Sequence, residues 1–349
     1  MQDLSWIIMI RKITLTRSVR SILARQAELG LKSFRTFLIR EKIQMLNGIK
    51  IVDFTHRLPG PLAGKILADL GAEVVKIEDI NHKDPFLSGM FSEFDRSFED
   101  WYKELNAKKE IIRLDFKDPN SKDEIIKILK EAQGLMLSIG PKLKTTLGLN
   151  DDELKHLKLA VVELEASSQK NKAMHDLNAL AMSGFLSLHV AQETDPVVAP
   201  PFLPIAGIAF GQQVATQLLA NIIESRTKNE FVKSVSYLYD TTNDIFSPFW
   251  SENLRDQKKT RFLHNGAYPC YSLYRTNDGN YVAVAAVEDK FWLELTEIFK
   301  IDIPLHKRFE TSEETFKTMA DVFAKLTVSE IEMKIKNKEL CISIVRKIS

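Results

Sequence analysis

The sequence predicts an α/β protein with an open, mostly parallel sheet, helices on both faces of that sheet, and a smaller α+β unit towards the C-terminus. Two observations predict this fold. Short β-branched runs alternate with amphipathic helical segments over the first two-thirds of the chain, as in sheets built from βαβ units. Beyond residue 260, two strands flank the turn at residues 276–279, and a helix follows, which is typical of a hairpin-based unit.

The expected elements follow one another from residue 46 onwards. The strands are expected at residues 48–54, 73–77, 111–116, 134–138, 159–164, 266–274 and 281–287, with weaker alternation at 232–237. The helices have apolar residues at helical spacing, and they are expected at residues 63–70, 121–132, 143–149, 151–157, 207–224, 290–299, 312–325 and 328–338, with a small-residue helix inside 172–188. A turn-rich loop at 55–64 joins the first strand to the first helix, and residues 247–259 carry no clear element.

Composition and charge are those of an ordinary globular protein. The 349 residues exceed one comfortable hydrophobic core, which predicts two domains. The 48 basic and 47 acidic residues nearly cancel, so net charge favours neither nucleic acid nor a membrane surface as a partner. Cys270 and Cys341 form no disulfide framework and fit a reducing compartment, so we expect a cytoplasmic protein. No apolar run reaches the roughly 20 residues that span a bilayer.

Residues 1–44 form a basic, acid-poor extension with interspersed aliphatic residues. Three interpretations stay open. The segment is an upstream or disordered extension in front of a domain that starts at Met45, an organelle targeting segment, or a helical arm. A targeting segment would place the protein in a mitochondrial or peroxisomal matrix instead of the cytoplasm.

His175 and Asp176 precede the first apolar turn of the helix inside 172–188. This segment follows the strand at 159–164, and ligands of open parallel sheets gather at the carboxyl ends of strands. His175 could therefore face a ligand there. The alternative is that Asp176 only caps the helix and His175 is a surface residue.

Two further features could meet an anion. Pro59, Gly60 and Pro61 place backbone amides at a helix start, and the alternative is a tight crossover connection. Lys108 and Lys109 precede the strand at 111–116 and are well placed to meet phosphates, although such pairs are often only solvated. The first βαβ unit lacks the GxGxxG spacing, so we predict no dinucleotide site.

Several segments resemble one family. LNGIKIVDFTHRLPGPLAGKILADLGAEVVKIE is similar to the opening of the family III CoA-transferases (the CaiB/BaiF family), which also include α-methylacyl-CoA racemase. NAKKEIIRLDFKDP resembles the family's strand with a basic pair. MHDLNALAMSGFLSL resembles the racemase branch, in which Gly-His-Asp precedes the same small-residue helix. NGAYPCYSLYRTNDGNYVAVAAVEDKFW is similar to the small-domain hairpin of that branch.

The resemblance implies a Rossmann-like large domain and a smaller domain. The expected ranges are a large domain at 45–240, a linker at 241–261, a small domain at 262–330 and a shortened return to the large domain at 331–349. The implied substrate is an acyl-CoA thioester, with coenzyme A as part of the substrate and no covalently bound cofactor. A homodimer is implied, interlocked if the C-terminal return is complete. The residues matched to coenzyme A binding are Arg57, Pro59, Gly60, Lys76, Lys108, Lys109, Leu147 and Gly148.

The resemblance also implies catalytic residues. In the racemases, the histidine that matches His175 and an aspartate on a later loop move the α-proton of the thioester, one on each face, through an enolate. Histidine suits this role because its pKa lies near working pH. Glu288 matches an acidic residue of that pocket, and Cys341 matches a nearby cysteine. In the transferases, the later aspartate instead attacks the thioester carbonyl and forms a mixed anhydride.

Gly207 stands where the family has this later aspartate. Glycine can neither attack a carbonyl nor take a proton, so a transferase mechanism through an aspartyl anhydride is not expected. Two hypotheses stay open. The protein is a racemase-like enzyme that acts through His175, with Asp176 as a further candidate, or it is a catalytically impaired homologue that binds CoA esters or pairs with an active paralogue. Another carboxylate opposite His175 would favour the enzyme.

Overall fold

The predicted alternation of strands and helices is present in the structure. A computed structural model describes residues 44–169, 173–190, 195–256 and 261–348. Most of the basic extension at 1–44 therefore lies outside the described residues. The described chain divides into two units, which are residues 44–185 with 199–246 and residues 186–198 with 247–348.

The first unit is built around six parallel strands in the order β3-β2-β1-β4-β5-β6. These strands are β1 (Lys50–Phe54), β2 (Glu73–Asp79), β3 (Glu110–Leu114), β4 (Gly134–Leu137), β5 (Ala160–Glu165) and β6 (Val232–Tyr237). The central strands are rich in Val, Ile and Leu and are buried on both faces, as expected for a parallel sheet. The predicted α/β class with an open parallel sheet is confirmed.

Helices cover both faces of this sheet. The helices up to residue 246 are α1 (Pro59–Asp69), α2 (Met90–Phe94), α3 (Ser97–Asn106), α4 (Asn120–Glu131), α5 (Pro141–Leu147), α6 (Asp151–Leu154), α7 (Asp176–Met182), α8 (Phe185–His189), α9 (Ile205–Lys228) and α10 (Leu238–Phe246). Of these, α8 belongs to the second unit from Leu186 onwards. Ile125 of α4 and Leu147 of α5 join the core on one face. Leu218 and Ile222 of α9 cover Gly134 on the other face.

Two helix predictions are corrected. The loop expected at 55–64 is shorter, because α1 already begins at Pro59. Proline is favoured in the first helical turn, where its missing N–H has no intrahelical partner. The segment 172–188 holds two short helices, since α7 ends at Met182 and Gly184 adopts a φ of +84° before α8.

The second unit contains a small antiparallel sheet in the order β7-β8-β9. Its named elements are α11 (Glu252–Arg255), β7 (Tyr271–Arg275), β8 (Tyr281–Ala285), α12 (Asp289–Phe299), α13 (Glu313–Phe323), α14 (Val328–Ile335) and β9 (Ile342–Ile344). Two boundaries differ from expectation. Residues 241–246 of the expected linker lie in α10. The segment 331–349 was expected to return to the large domain, but its strand β9 pairs with β8, and Ile342 is buried in the core of the second unit.

A buried ion pair fixes the connection between β1 and α1. The Nζ atom of Lys109 lies 2.9 Å from Oδ2 of Asp53 and 2.9 Å from the carbonyl oxygen of Pro61, and both charged side chains are fully buried. Oδ1 of Asp53 accepts from the backbone N–H of Thr55 at 3.0 Å and from its hydroxyl. Lys76 donates to the carbonyl oxygen of Thr55. These contacts fix the positions of Thr55 and Pro61, at the two ends of the connection.

The same contacts set the charge of Asp53. Burial alone would raise the pKa of this carboxyl group. The positive charges of Lys109 and Lys76 and the hydrogen bond from Thr55 prevail, and they hold the pKa at about 2. Because an unfolded aspartate titrates near pH 3.9, this contribution to stability is fully present above about pH 4 and is lost as the pH falls towards 2.

We predict that Lys109→Met lowers the free energy of unfolding by about 3–5 kcal/mol, because Asp53 then remains buried without its nearest cation. The double variant Lys109→Met/Asp53→Asn recovers most of this loss, since replacing both partners leaves no uncompensated charge. Urea unfolding of the full chain measures both values. A loss below about 1 kcal/mol in the single variant would show that the pair does not hold this connection.

Candidate active site

Two cavities open at the carboxyl edge of the parallel sheet. The strand order reverses between β1 and β4, and open α/β sheets bind ligands at such a point. One cavity, of about 600 Å³, is named the aromatic cavity after Phe86, Phe91, Phe98, Trp101, Phe202 and Phe210 in its walls. The other, of about 1050 Å³, is named the lysine cavity after Lys83, Lys117 and Lys142. Thr55 and His56 line both cavities.

His175 lies at the start of α7 and lines the aromatic cavity. It has extended backbone angles (φ −111°, ψ 176°) and is the N-cap residue of the helix. Its backbone N–H donates to Oδ1 of Asn178 at 3.0 Å, which fixes the entry into the helix. The alternative in which Asp176 caps α7 is wrong, because Asp176 is already the first helical residue. His175 is exposed, as that alternative expected, and it also lines the cavity.

Asp176 bonds to a different helix. Its Oδ1 atom accepts from the backbone N–H of Gly207 at 2.6 Å, in the first turn of α9. Pro204, the N-cap residue of α9, offers no side-chain acceptor, so Asp176 supplies a negative charge at this helix start. Burial raises the pKa of Asp176, and the backbone N–H groups of Gly207 and Ala206 offset part of that rise.

Gly207 leaves room beside this carboxylate. A Cβ atom built on Gly207 would lie 3.6 Å from Oδ1 of Asp176 and 3.0 Å from Cδ2 of Leu58. The first of these distances is an ordinary contact, and the second requires a small shift of a flexible side-chain end. Among the described residues that line the aromatic cavity, the carboxylates are those of Asp176 and Glu165.

Aromatic side chains form one wall of the aromatic cavity. The ring centroids of Phe86, Phe98 and Trp101 lie 5.0–6.0 Å apart. The guanidinium of Arg57 lies 5.8 Å above the ring of Phe91. The segment at residues 79–105 was assigned no functional role from the sequence. The aromatic residues between 86 and 102 were the signal that it forms a wall.

Arg57 has an unusual backbone for a residue with a side chain, with a φ of +65°. Its backbone N–H donates to Oδ2 of the buried Asp84 at 3.0 Å, and Oδ1 of Asp84 accepts from the N–H of Phe86 at 2.9 Å. Asp84 thus joins the loop after β1 to the aromatic wall. Gly60 follows in α1, where a Cβ atom would lie 2.0 Å from Oγ1 of Thr55, so only glycine fits.

The lysine cavity carries an excess of positive charge that sequence reasoning missed. Lys83, Lys117 and Lys142 follow the ends of β2, β3 and β4, and in the described part of the chain their ammonium groups have no ion-pair partner. His82 also lines the cavity, and its Nδ1 atom lies 2.7 Å from Oδ2 of Asp79. The signal was positional, because each lysine comes within five residues of the end of a parallel strand.

The lysines that the sequence analysis selected lie elsewhere or are engaged. Lys108 is exposed, pairs with Asp69 at 2.7 Å, and lines neither cavity. Lys109 is buried in its pair with Asp53. Lys76 lines the lysine cavity, but its ammonium donates to the carbonyl oxygen of Thr55. Their positions do not favour the phosphate role that was expected of them.

The remaining predicted site residues lie in the core, at helix ends or in the second unit. Leu147 is buried in the core, and Gly148 ends α5 with a φ of +69°, where a side chain would meet Lys122. Neither residue lines a cavity, whereas Pro59 and Gly60 line the aromatic one. Glu288 is the exposed N-cap residue of α12 in the second unit. Cys341 is half-buried in the same unit, next to β9.

Two kinds of feature are absent from the described ranges. None of their helices combines the length and the apolar character required to cross a membrane. No group of three or more His, Cys, Asp and Glu side chains is placed to hold a metal ion in those ranges.

Known proteins resemble this chain over most of its length. α-Methylacyl-CoA racemase of Mus musculus is 26% identical over 300 residues, which cover 82% of this chain and 74% of that protein. Human succinyl-CoA:glutarate CoA-transferase is 24% identical over 317 residues, covering 82% and 68%. The crystal structure of a CaiB/BaiF family protein from Brucella suis has the same fold, with a TM-score of 0.70, 17% identity and coverage of 86% and 84%. The family model described as CoA-transferase family III matches residues 46–349, so this chain belongs to CoA-transferase family III.

Proposed function

We propose that this protein removes a proton from the carbon next to the carbonyl of an acyl-CoA thioester, with His175 as the base. One observation carries the proposal. His175 lines a largely apolar cavity at the switch point of the sheet, in a chain that belongs to CoA-transferase family III. Imidazole side chains are the most common general bases in enzymes.

The two cavities suit the two ends of such a substrate. Coenzyme A carries several phosphate charges. The three lysines of the lysine cavity offer ammonium groups that pair with no carboxylate of the described residues. The aromatic walls of the other cavity suit an apolar acyl group. Thr55 and His56 line both cavities, so a ligand that occupied both would place its middle portion beside them. We propose that coenzyme A enters in this way, as part of the substrate.

Proton removal creates negative charge on the thioester oxygen, and this charge needs a fixed donor. Pro59 and Pro61 have no backbone N–H, so Gly60 is the donor between them at the start of α1. Gly60 lines the aromatic cavity, and the Lys109–Asp53 pair fixes the adjoining carbonyl of Pro61. We propose the Gly60 N–H as the group that stabilises the enolate oxygen.

The second candidate function is that of a catalytically impaired homologue that binds CoA esters. Gly207 favours it, because no carboxylate projects from the first turn of α9. A homodimer, an active paralogue as partner and a cytoplasmic location remain proposals under either function. The two functions differ in one measurable property, which is exchange of the α-proton of a bound CoA ester.

We expect the full chain to incorporate deuterium from D₂O at the α-carbon of a 2-methylacyl-CoA, as followed by mass spectrometry. His175→Ala should lower the exchange rate of one enantiomer at least 100-fold, because general base catalysis typically contributes that much. Binding of the CoA ester, measured by calorimetry, should change little. The matched control is His156→Ala, since His156 lines neither cavity. Wild-type protein that binds the ester without exchanging it would favour the impaired homologue.

We expect Lys117→Glu and Lys142→Glu each to weaken coenzyme A binding about 10-fold or more at low salt, because a charged hydrogen bond is replaced by repulsion. Lys108→Glu is the matched control, since Lys108 already pairs with Asp69 outside both cavities. Calorimetry with coenzyme A at about 0.05 M and about 0.5 M salt should show the effect shrinking as salt rises. A larger effect of Lys108→Glu would place the phosphates near α3 instead.

A further inference from the structure

We infer that Asp176 is the second proton-transfer group of the site, acting on the substrate from the side opposite His175. The inference rests on the proposed function and adds a residue to it. A single base exchanges the α-proton on one face of the substrate only. Inversion of the α-carbon needs a second group on the other face, and residue 207 provides none.

The geometry shows how Asp176 fills this role. Its carboxylate is fixed at the start of α9 by the 2.6 Å bond from Gly207. A side chain at residue 207 would begin 3.6 Å from the same carboxylate oxygen. The carboxylate on α7 therefore lies in contact with the place where a side chain on residue 207 of α9 would begin. Asp176 therefore supplies a carboxylate at the start of α9, although residue 207 carries none.

The other carboxylate in this cavity is less well placed. Val161 and Glu163 of β5 point to the sheet face that α4 and α5 cover, where Glu163 pairs with Lys144. Side chains two residues apart share a face, so Glu165 is directed the same way. Asp176 lies at the start of α7, which packs against α9 on the opposite face. His175 belongs to the same helix start, so Asp176 is its nearer partner.

The environment of Asp176 suits proton transfer. The side chain is half-buried and lines the cavity, and its carboxylate is held in one orientation by a backbone donor. Burial raises its pKa, which makes the carboxylate a better base than a solvated one. The other titratable side chains that line the cavity are His56, Arg57, Glu165 and His175.

The proton balance closes without another reactant. For one enantiomer, neutral His175 takes the α-proton and protonated Asp176 returns a proton to the other face of the enolate. The products are the inverted thioester, an imidazolium and a carboxylate. For the other enantiomer, the carboxylate takes the proton and the imidazolium returns one. Proton exchange with water resets the enzyme between turnovers.

Asp176 also has a structural role as the acceptor at the start of α9, and the experiment must separate the two roles. Asp176→Asn serves this purpose, because the asparagine Oδ1 can still accept from Gly207 but the amide cannot take a proton. Asp152→Asn is the matched control, since Asp152 is an exposed aspartate in the first turn of α6. The full chain is incubated with each enantiomer of a 2-methylacyl-CoA in D₂O, and both deuterium incorporation and inversion are measured.

We predict that Asp176→Asn still exchanges the α-proton of one enantiomer but inverts it at least 100-fold more slowly than the wild type. Asp152→Asn should match the wild type. The double variant Asp176→Asn/Gly207→Asp should invert the substrate at least 10-fold faster than Asp176→Asn, because the new side chain starts beside the carboxylate that was lost. The midpoints of thermal unfolding of all three variants should stay within a few degrees of the wild type.

Several outcomes would overturn the inference. Asp176→Asn that inverts both enantiomers at the wild-type rate would show that Asp176 transfers no proton. Equal loss of exchange for both enantiomers, together with a lower unfolding midpoint, would leave Asp176 only its structural role. Wild-type protein that exchanges one enantiomer without inverting it would preserve the proposed function and refute this inference. Wild-type protein that exchanges neither enantiomer would refute both.

Discussion

The buried ion pair between Lys109 and Asp53 is the interaction on which the site depends. Burying a carboxylate and an ammonium costs several kcal/mol for each ion, and their mutual attraction offsets this only when further hydrogen bonds satisfy both groups. Here Asp53 also accepts from Thr55, and Lys109 also donates to the carbonyl of Pro61. The stability of the pair therefore depends on the conformation of the chain between β1 and α1. That part of the chain forms the boundary between the two cavities.

This boundary explains why one sheet edge offers two chemically different cavities. On the side of the lysine cavity, β2, β3 and β4 end in loops with lysines, which attract anions. On the side of the aromatic cavity, α2, α3 and the start of α9 supply aromatic rings, which favour contact with apolar groups. The helix starts of α1, α7 and α9 lie at the same cavity, and their backbone N–H groups favour negative charge there. A thioester between a polyanion and an apolar chain matches that sequence of environments.

The fold was largely predictable because its signals are local. β-Branched runs and helical spacing identify the six strands and their order of appearance without knowledge of partners. The site was predictable only in part. His175 was selected because it follows a strand end, but the burial of Lys109 depends on Asp53, 56 residues earlier in the chain. The bond from Gly207 to Asp176 spans 31 residues. Such partners are brought together by the fold, and no spacing within one segment encodes them.

The effect of glycine at residue 207 depends on which side chains from other segments lie beside it. The start of a helix attracts negative charge through its N–H groups, whichever segment supplies that charge. The carboxylate of Asp176 on α7 lies at the start of α9 and at the cavity wall, so it receives this stabilisation. Gly207 on its own thus removes one side chain without removing the negative charge from the site.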